Sequence, residues 1–220
     1  MSPVLFVYCR SLEEEVYDLS VSLADRYDIP PWEVYMAHLE FLFADSGLTV
    51  EAVEERVEKM NILPVLTSNS SEFATRMHTY VYPIIADNDY DSLMFYYKLL
   101  CGCEGVVTKG GLSPDSHVKL LKKIKPVAEG LQYKSLMDGL ASPIEIIKPV
   151  LGSKNVSQIA KIACKFPDGK DGFLDASVVY CAWAIKLFWE GDSKKLVDST
   201  VSCAFMFNTD GKFADKIFSY

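Results

Sequence analysis

Residues 38–40, His-Leu-Glu, set an imidazole two positions before a carboxylate. That spacing is half of a zinc deaminase signature, in which histidine holds the metal and glutamate moves a proton. The other half, Pro-Cys-x-x-Cys, is missing, and Cys101-Gly102-Cys103 spaces its thiols wrongly. His38 is therefore read as a residue at a packed helix edge. His78 and His117 have no partner at ligand spacing. Gly152-Ser153-Lys154 lacks the first glycine of a phosphate-binding loop and reads as a helix cap followed by a turn. No Gly-x-Ser-x-Gly elbow anchors a nucleophilic serine. Asp168-Gly169-Lys170-Asp171-Gly172 has calcium-like composition, but its aspartates do not alternate, so it reads as a polar turn. The expectation is no catalytic residue, no cofactor and no metal site: the chain is not an enzyme.

Charge and composition narrow the remaining classes. A formal net charge of −8 argues against direct nucleic-acid binding and against adsorption to anionic lipid by charge alone. Lys119, Lys122, Lys123 and Lys125 form a local basic cluster, read as a solvated helix face, with a docking patch for an acidic partner as the other reading. Glu13, Glu14 and Glu15, with Glu51, Glu54, Glu55 and Glu58, offer complementary charge. The six cysteines, Cys9, Cys101, Cys103, Cys164, Cys181 and Cys203, are scattered, and most sit in apolar surroundings, as buried reduced thiols of a cytosolic protein would. Glycosylation triplets at Asn69 and Asn155 matter only in a secreted chain, and residues 3–9 lack the basic flank and cleavage site of a signal peptide. The longest apolar run, residues 178–185, is far short of the roughly twenty needed to cross a bilayer. Membrane association is expected to be indirect, through partners.

The elements that would position these residues are helices. Ser11 opens a capping box, with Leu12, Val16, Leu19 and Leu23 following on one face. Residues 30–48 start at paired prolines and stop at Asp45-Ser46-Gly47. Trp32, Tyr35, Met36, Leu39, Leu42 and Phe43 recur at helical spacing, and Val34 and Phe41 oppose them. A helix apolar on two sides must be sandwiched. Thr49 caps the next, whose stripe is Val50, Val53, Val57 and Met60, with Pro64 limiting its continuation. Asn69 begins a helix through Phe73, Met77, Tyr80 and Val81. Asp89 caps a central one ending at Cys101, and a glycine-rich connection at 105–111 follows, with Val106 and Val107 as a short extended piece. Ser113-Pro114, Gln132, Ser142-Pro143 and Asn155 open four more, with Val118, Leu121 and Ile124 as one buried stripe. A long apolar helix over 174–189 is closed by Gly191. Apart from an extended start at residues 4–8, this predicts an all-α chain of about ten short antiparallel helices in an irregular solenoid.

Six strings in order carry a further signal: HLEFLFADSGL (38–48), YVYP (80–83), YYKLLCGC (96–103), LLKKIKPVAEGLQYKSL (120–136), SPIEIIKPVL (142–151) and LFWEGD (187–192). In this order and spacing they closely resemble the neuroblastoma-amplified sequence family, specifically the middle of its secretory-pathway Sec-thirty-nine domain. The similarity covers residues 11–198. It implies that residues 1–198 are part of an α-solenoid and that residues 199–220 are a divergent, weakly packed tail that does not match what the family has there. The chain is a small fraction of the family's length. The resemblance implies a non-enzymatic subunit of a Dsl-type tethering complex, cytoplasmic and peripheral on the endoplasmic reticulum. Its role would be Golgi-to-ER retrograde transport and SNARE assembly, with a link to nonsense-mediated mRNA decay. The implied partners are other tethering-complex subunits and ER SNAREs. A kinetochore Rod-like checkpoint scaffold is the alternative, and a generic helical protein-interaction domain the least specific one.

Overall fold

The computed structural model describes residues 8–103, 105–106, 108–139, 141–167 and 172–190. Among them the chain is all-α. The eleven α-helices are α1 (Glu14–Arg26), α2 (Pro31–Ala44), α3 (Val50–Met60), α4 (Leu63–Thr67), α5 (Ser70–Arg76), α6 (Tyr90–Leu100), α7 (Pro114–Ile124), α8 (Tyr133–Asp138), α9 (Pro143–Ile147), α10 (Val156–Ala163) and α11 (Ala176–Trp189). The described residues contain no strand, only an isolated antiparallel bridge between Pro167 and Phe173. Tyr8 and Cys9 are helical, so the extended start fails at Tyr8, and the rest of that segment lies outside the described residues. Val106 is not in a strand; Val107 lies outside the description, as do the calcium-like aspartates, Gly191 and the tail 199–220.

Side-chain caps explain several boundaries. Thr49 Oγ1 accepts the Ala52 N–H at 3.4 Å, Asp89 Oδ1 the Ser92 N–H at 3.1 Å, and Ser113 Oγ the Ser116 N–H at 3.3 Å. Each satisfies an orphan donor of the first turn, worth about 1 kcal/mol. Gly47 takes the left-handed φ of 68° expected beyond α2. Pro64 does not end helical structure; it occupies the first turn of α4, where its missing N–H costs nothing. The long last helix starts at Ala176, two residues later than its apolar pattern, because Asp175 Oδ1 accepts the Ser177 N–H at 2.7 Å and sets the boundary.

Other expected caps do not form, and where a hydroxyl finds a nearer partner the reason is visible. Ser11 Oγ accepts the Glu13 N–H at 3.1 Å, a local turn that delays α1 to Glu14. Ser70 donates to Thr67 O at 2.7 Å, and Asn69 makes no cap bond. Past Arg76 the chain widens into a π turn over Met77–Val81 and tightens into a 3₁₀ turn over Tyr82–Ile84, with Pro83 in the tight turn. This keeps Phe73, Met77 and Val81 buried, while Tyr80 turns outward at 55% exposed.

The chain divides into two compact units, residues 1–108 with 112–118, and residues 109–111 with 119–220. In the first, α2 packs against α1, α3, α4 and the π turn, and α3 packs against α6. The sandwiched position of α2 follows: Val34, Met36, Ala37, Leu39 and Leu42 are all buried. The stripe expected for α1 holds in half: Val16 and Leu23 are half-buried, with Leu23 packed against the core. Tyr17, Ser20 and Ala24 face inward, whereas Leu12 and Leu19 are exposed. Ser20 tolerates burial because its hydroxyl donates to Tyr17 O at 2.6 Å. In the second unit α11 packs against α9 and α10, and α8 against α9 and the turn Lys109–Gly111.

Candidate functional site

His38 projects from the middle of α2 into the packed face, with no exposed surface, deeper than an edge position. Its Nδ1 is 2.7 Å from Cys9 O, which can only accept, so Nδ1 carries the proton. Its Nε2 then accepts from Arg56 Nε at 3.3 Å. The ring lies 4.5 Å from that of Tyr17. Burial, aided by the Arg56 cation, pushes the His38 pKa down to about 4 against the pull of the Cys9 carbonyl. Both ring nitrogens are committed, so neither is available to a metal.

Glu40, the other half of the short motif, points elsewhere, since side chains two apart on a helix do not face each other. It accepts from Arg76 Nε at 2.8 Å. Arg76 also approaches Glu33 Oε2 at 3.7 Å, and its guanidinium lies over the rings of Trp32 and Tyr80. Burial raises the Glu40 pKa despite this partner. His78 is exposed, its ring 5.4 Å from Tyr82, and His117 is buried against Tyr97. The three histidines are therefore not brought together. No group of three or more His, Cys, Asp or Glu able to hold a metal occurs among the described residues.

The remaining sequence motifs resolve into packing. Gly152 gives its N–H to Asn155 Oδ1 at 2.7 Å, so the Gly-Ser-Lys string is a turn. The Asn155 amide nitrogen donates to both Val127 O and Val150 O at 2.9 Å, so it ties loops together instead of capping α10. Lys119, Lys122, Lys123 and Lys125 are exposed along and just past α7, and Lys122 and Lys123 lie in its last turn, where cations complement the helix dipole. Glu14 and Glu54 pair with Lys59 and Lys98. Buried thiols are found at Cys9 and Cys103, but Cys101 and Cys164 are exposed and Cys181 is half-buried. Exposure follows from helix ends: Cys101 and Cys164 occupy the C-caps of α6 and α10.

A feature absent from the sequence reading is a groove of about 460 Å³ lined by residues of α1, α2 and α3. Arg56, Lys59 and Met60 line it together with Glu14, Tyr17, Asp18 and Tyr35. The Tyr17 hydroxyl is buried with no hydrogen-bond partner among the described residues. Burial holds the phenol above its usual range and neutral. The available signal was Arg56 itself: it falls three residues after Val53 and four before Met60, a cation on the edge of an apolar stripe.

No family model and no solved structure matches the chain. Among curated proteins it is similar to the human protein named NBAS subunit of NRZ tethering complex, with 42% identity over 185 residues. The match takes in 83% of this chain and 8% of the human protein.

Proposed function

The chain is an NBAS-related segment, and on that premise we propose that it serves as a non-catalytic helical scaffold within a vesicle-tethering complex. The observation that carries this reading is the 42% identity over 185 residues to a named subunit of such a complex. The packing agrees with a scaffold role. His38 has both ring nitrogens bonded inside the protein, and Glu40 is held by Arg76. Histidine and carboxylate therefore serve the fold.

The finer parts of the reading belong to the same proposal. The helices stack as part of an irregular α-solenoid whose outer faces bind other tether subunits and ER SNAREs. The segment acts in Golgi-to-ER retrograde transport and SNARE assembly, with a link to nonsense-mediated decay. It is cytoplasmic and reaches the endoplasmic reticulum through partners. Among the described residues no helix is long and apolar enough to cross a membrane.

The test is co-purification. The full chain is expected to capture the purified remaining subunits of the tethering complex. Deleting the matching segment from the human relative is expected to weaken its assembly with them. Failure of both measurements would reject the tether reading.

A further inference from the structure

The groove between α1, α2 and α3 holds ionic groups that the fold uses only in part. Glu14 and Lys59 satisfy each other at 2.9 and 3.1 Å. Arg56 is committed through Nε to His38. Among the described residues, neither of its Nη groups has a hydrogen-bond or ion-pair partner, and Asp18 pairs with no cation. The Nε bond pins the guanidinium, so its remaining N–H groups form a fork preset for a carboxylate. Beside it lies Tyr17, with its stranded hydroxyl, and Val21 and Met60 supply apolar wall.

These groups ask for a ligand of mixed charge. A bare anion in the groove would also meet Asp18, and a bare cation would meet Arg56. A segment carrying an acidic and a basic side chain together complements both, and a helix surface offers such a pair at i,i+4. The volume of about 460 Å³ suits a few side chains and not a whole helix.

We propose that this groove docks an acid–base side-chain pair on a helix of another tether subunit. The carboxylate seats on Arg56, and the cation seats on Asp18. The proposal rests on the tether reading above and adds to it the surface and the chemistry of the contact.

The test is capture of the purified remaining tether subunits by the full 220-residue chain. Asp18 is exposed, so Asp18→Lys keeps the fold, as circular dichroism will show, and is expected to reduce capture about tenfold. Tyr17→Phe deletes a buried hydroxyl that has no partner. It is expected to raise the melting temperature of the free chain and to leave capture unchanged, because the hydroxyl has no surface in the groove; it is the control for repacking beneath it. Glu72→Lys, a charge reversal on exposed α5 surface outside the groove, is the control and is expected to leave capture unchanged. Capture by Asp18→Lys equal to wild type overturns the groove and leaves the tether reading standing. So does an equal loss in Glu72→Lys. No capture by the wild-type chain overturns both.

Discussion

Tyr97 and His117 lie face to face, their ring centroids 4.1 Å apart and their planes within 2° of parallel. Tyr97 comes from α6 and His117 from the start of α7, and both are buried. Aromatic stacking of this kind adds about 1 kcal/mol beyond the area it buries. A histidine without any ligand-spaced neighbour in the sequence is thus a packing element.

Replacing His117 by alanine leaves a cavity against Tyr97 and is expected to cost about 3 kcal/mol. His117→Phe restores the flat ring without its nitrogens and is expected to recover part of that loss. Urea denaturation of the two variants measures the difference. Equal destabilisation would show that the stack contributes nothing.

His38 makes stability depend on pH. Its folded pKa, about 4, lies below its ordinary 6.5. Between these values the unfolded chain binds a proton that the folded chain refuses, so stability falls as pH drops through that window. The full term is present above pH 6.5 and amounts to about 3 kcal/mol. Glu40 acts with the opposite sign: its raised pKa makes the folded chain hold a proton longer as pH rises past 4.5. The comparison is therefore between wild type and His38→Gln, with unfolding midpoints measured from pH 7.5 down to 4.5. The variant is expected to be less stable at neutral pH and to show a flatter decline.

Asn155 ties Gly152, Val127 and Val150 with one side chain. Asn155→Ala removes three bonds and is expected to cost about 3 kcal/mol. Asn155→Asp is expected to be worse, because its second oxygen would face two carbonyls where an amide now donates. Thermal melts of both variants give the order. The same geometry occupies the atom that a glycan would need.

Cysteine reactivity should divide by position. Cys101 and Cys164 are exposed, whereas Cys9 and Cys103 are buried with thiol pKa values pushed up by desolvation. Alkylation of the native chain with iodoacetamide, followed by peptide mass spectrometry, is expected to label the first pair at least about tenfold faster than the second. Denaturant should erase the difference.

Much of the fold was legible before any coordinates. Thr49, Asp89 and Ser113 cap as their positions predict, because a cap needs only a short side chain within reach of the first turn. Ser11 and Asn155 mislead for a specific reason: each has a nearer or richer set of backbone partners than the helix start offers. The groove was less legible. Arg56 stands out of its stripe in the sequence, but its partner His38 lies on another helix, and nothing in the spacing joins them.

By itself, the order of residues determined that this chain is helical, where most helices begin and end, and which protein it is related to. Those properties depend on local backbone chemistry and on shared strings. Tertiary packing decided which face of each helix turns inward. In α1 it chose Tyr17 and Ser20 over Leu19, because Tyr17 covers His38 while Ser20 bonds to the Tyr17 carbonyl one turn back. Helical period says which side chains share a side; only the shape and polarity of the neighbouring helix say which side is covered.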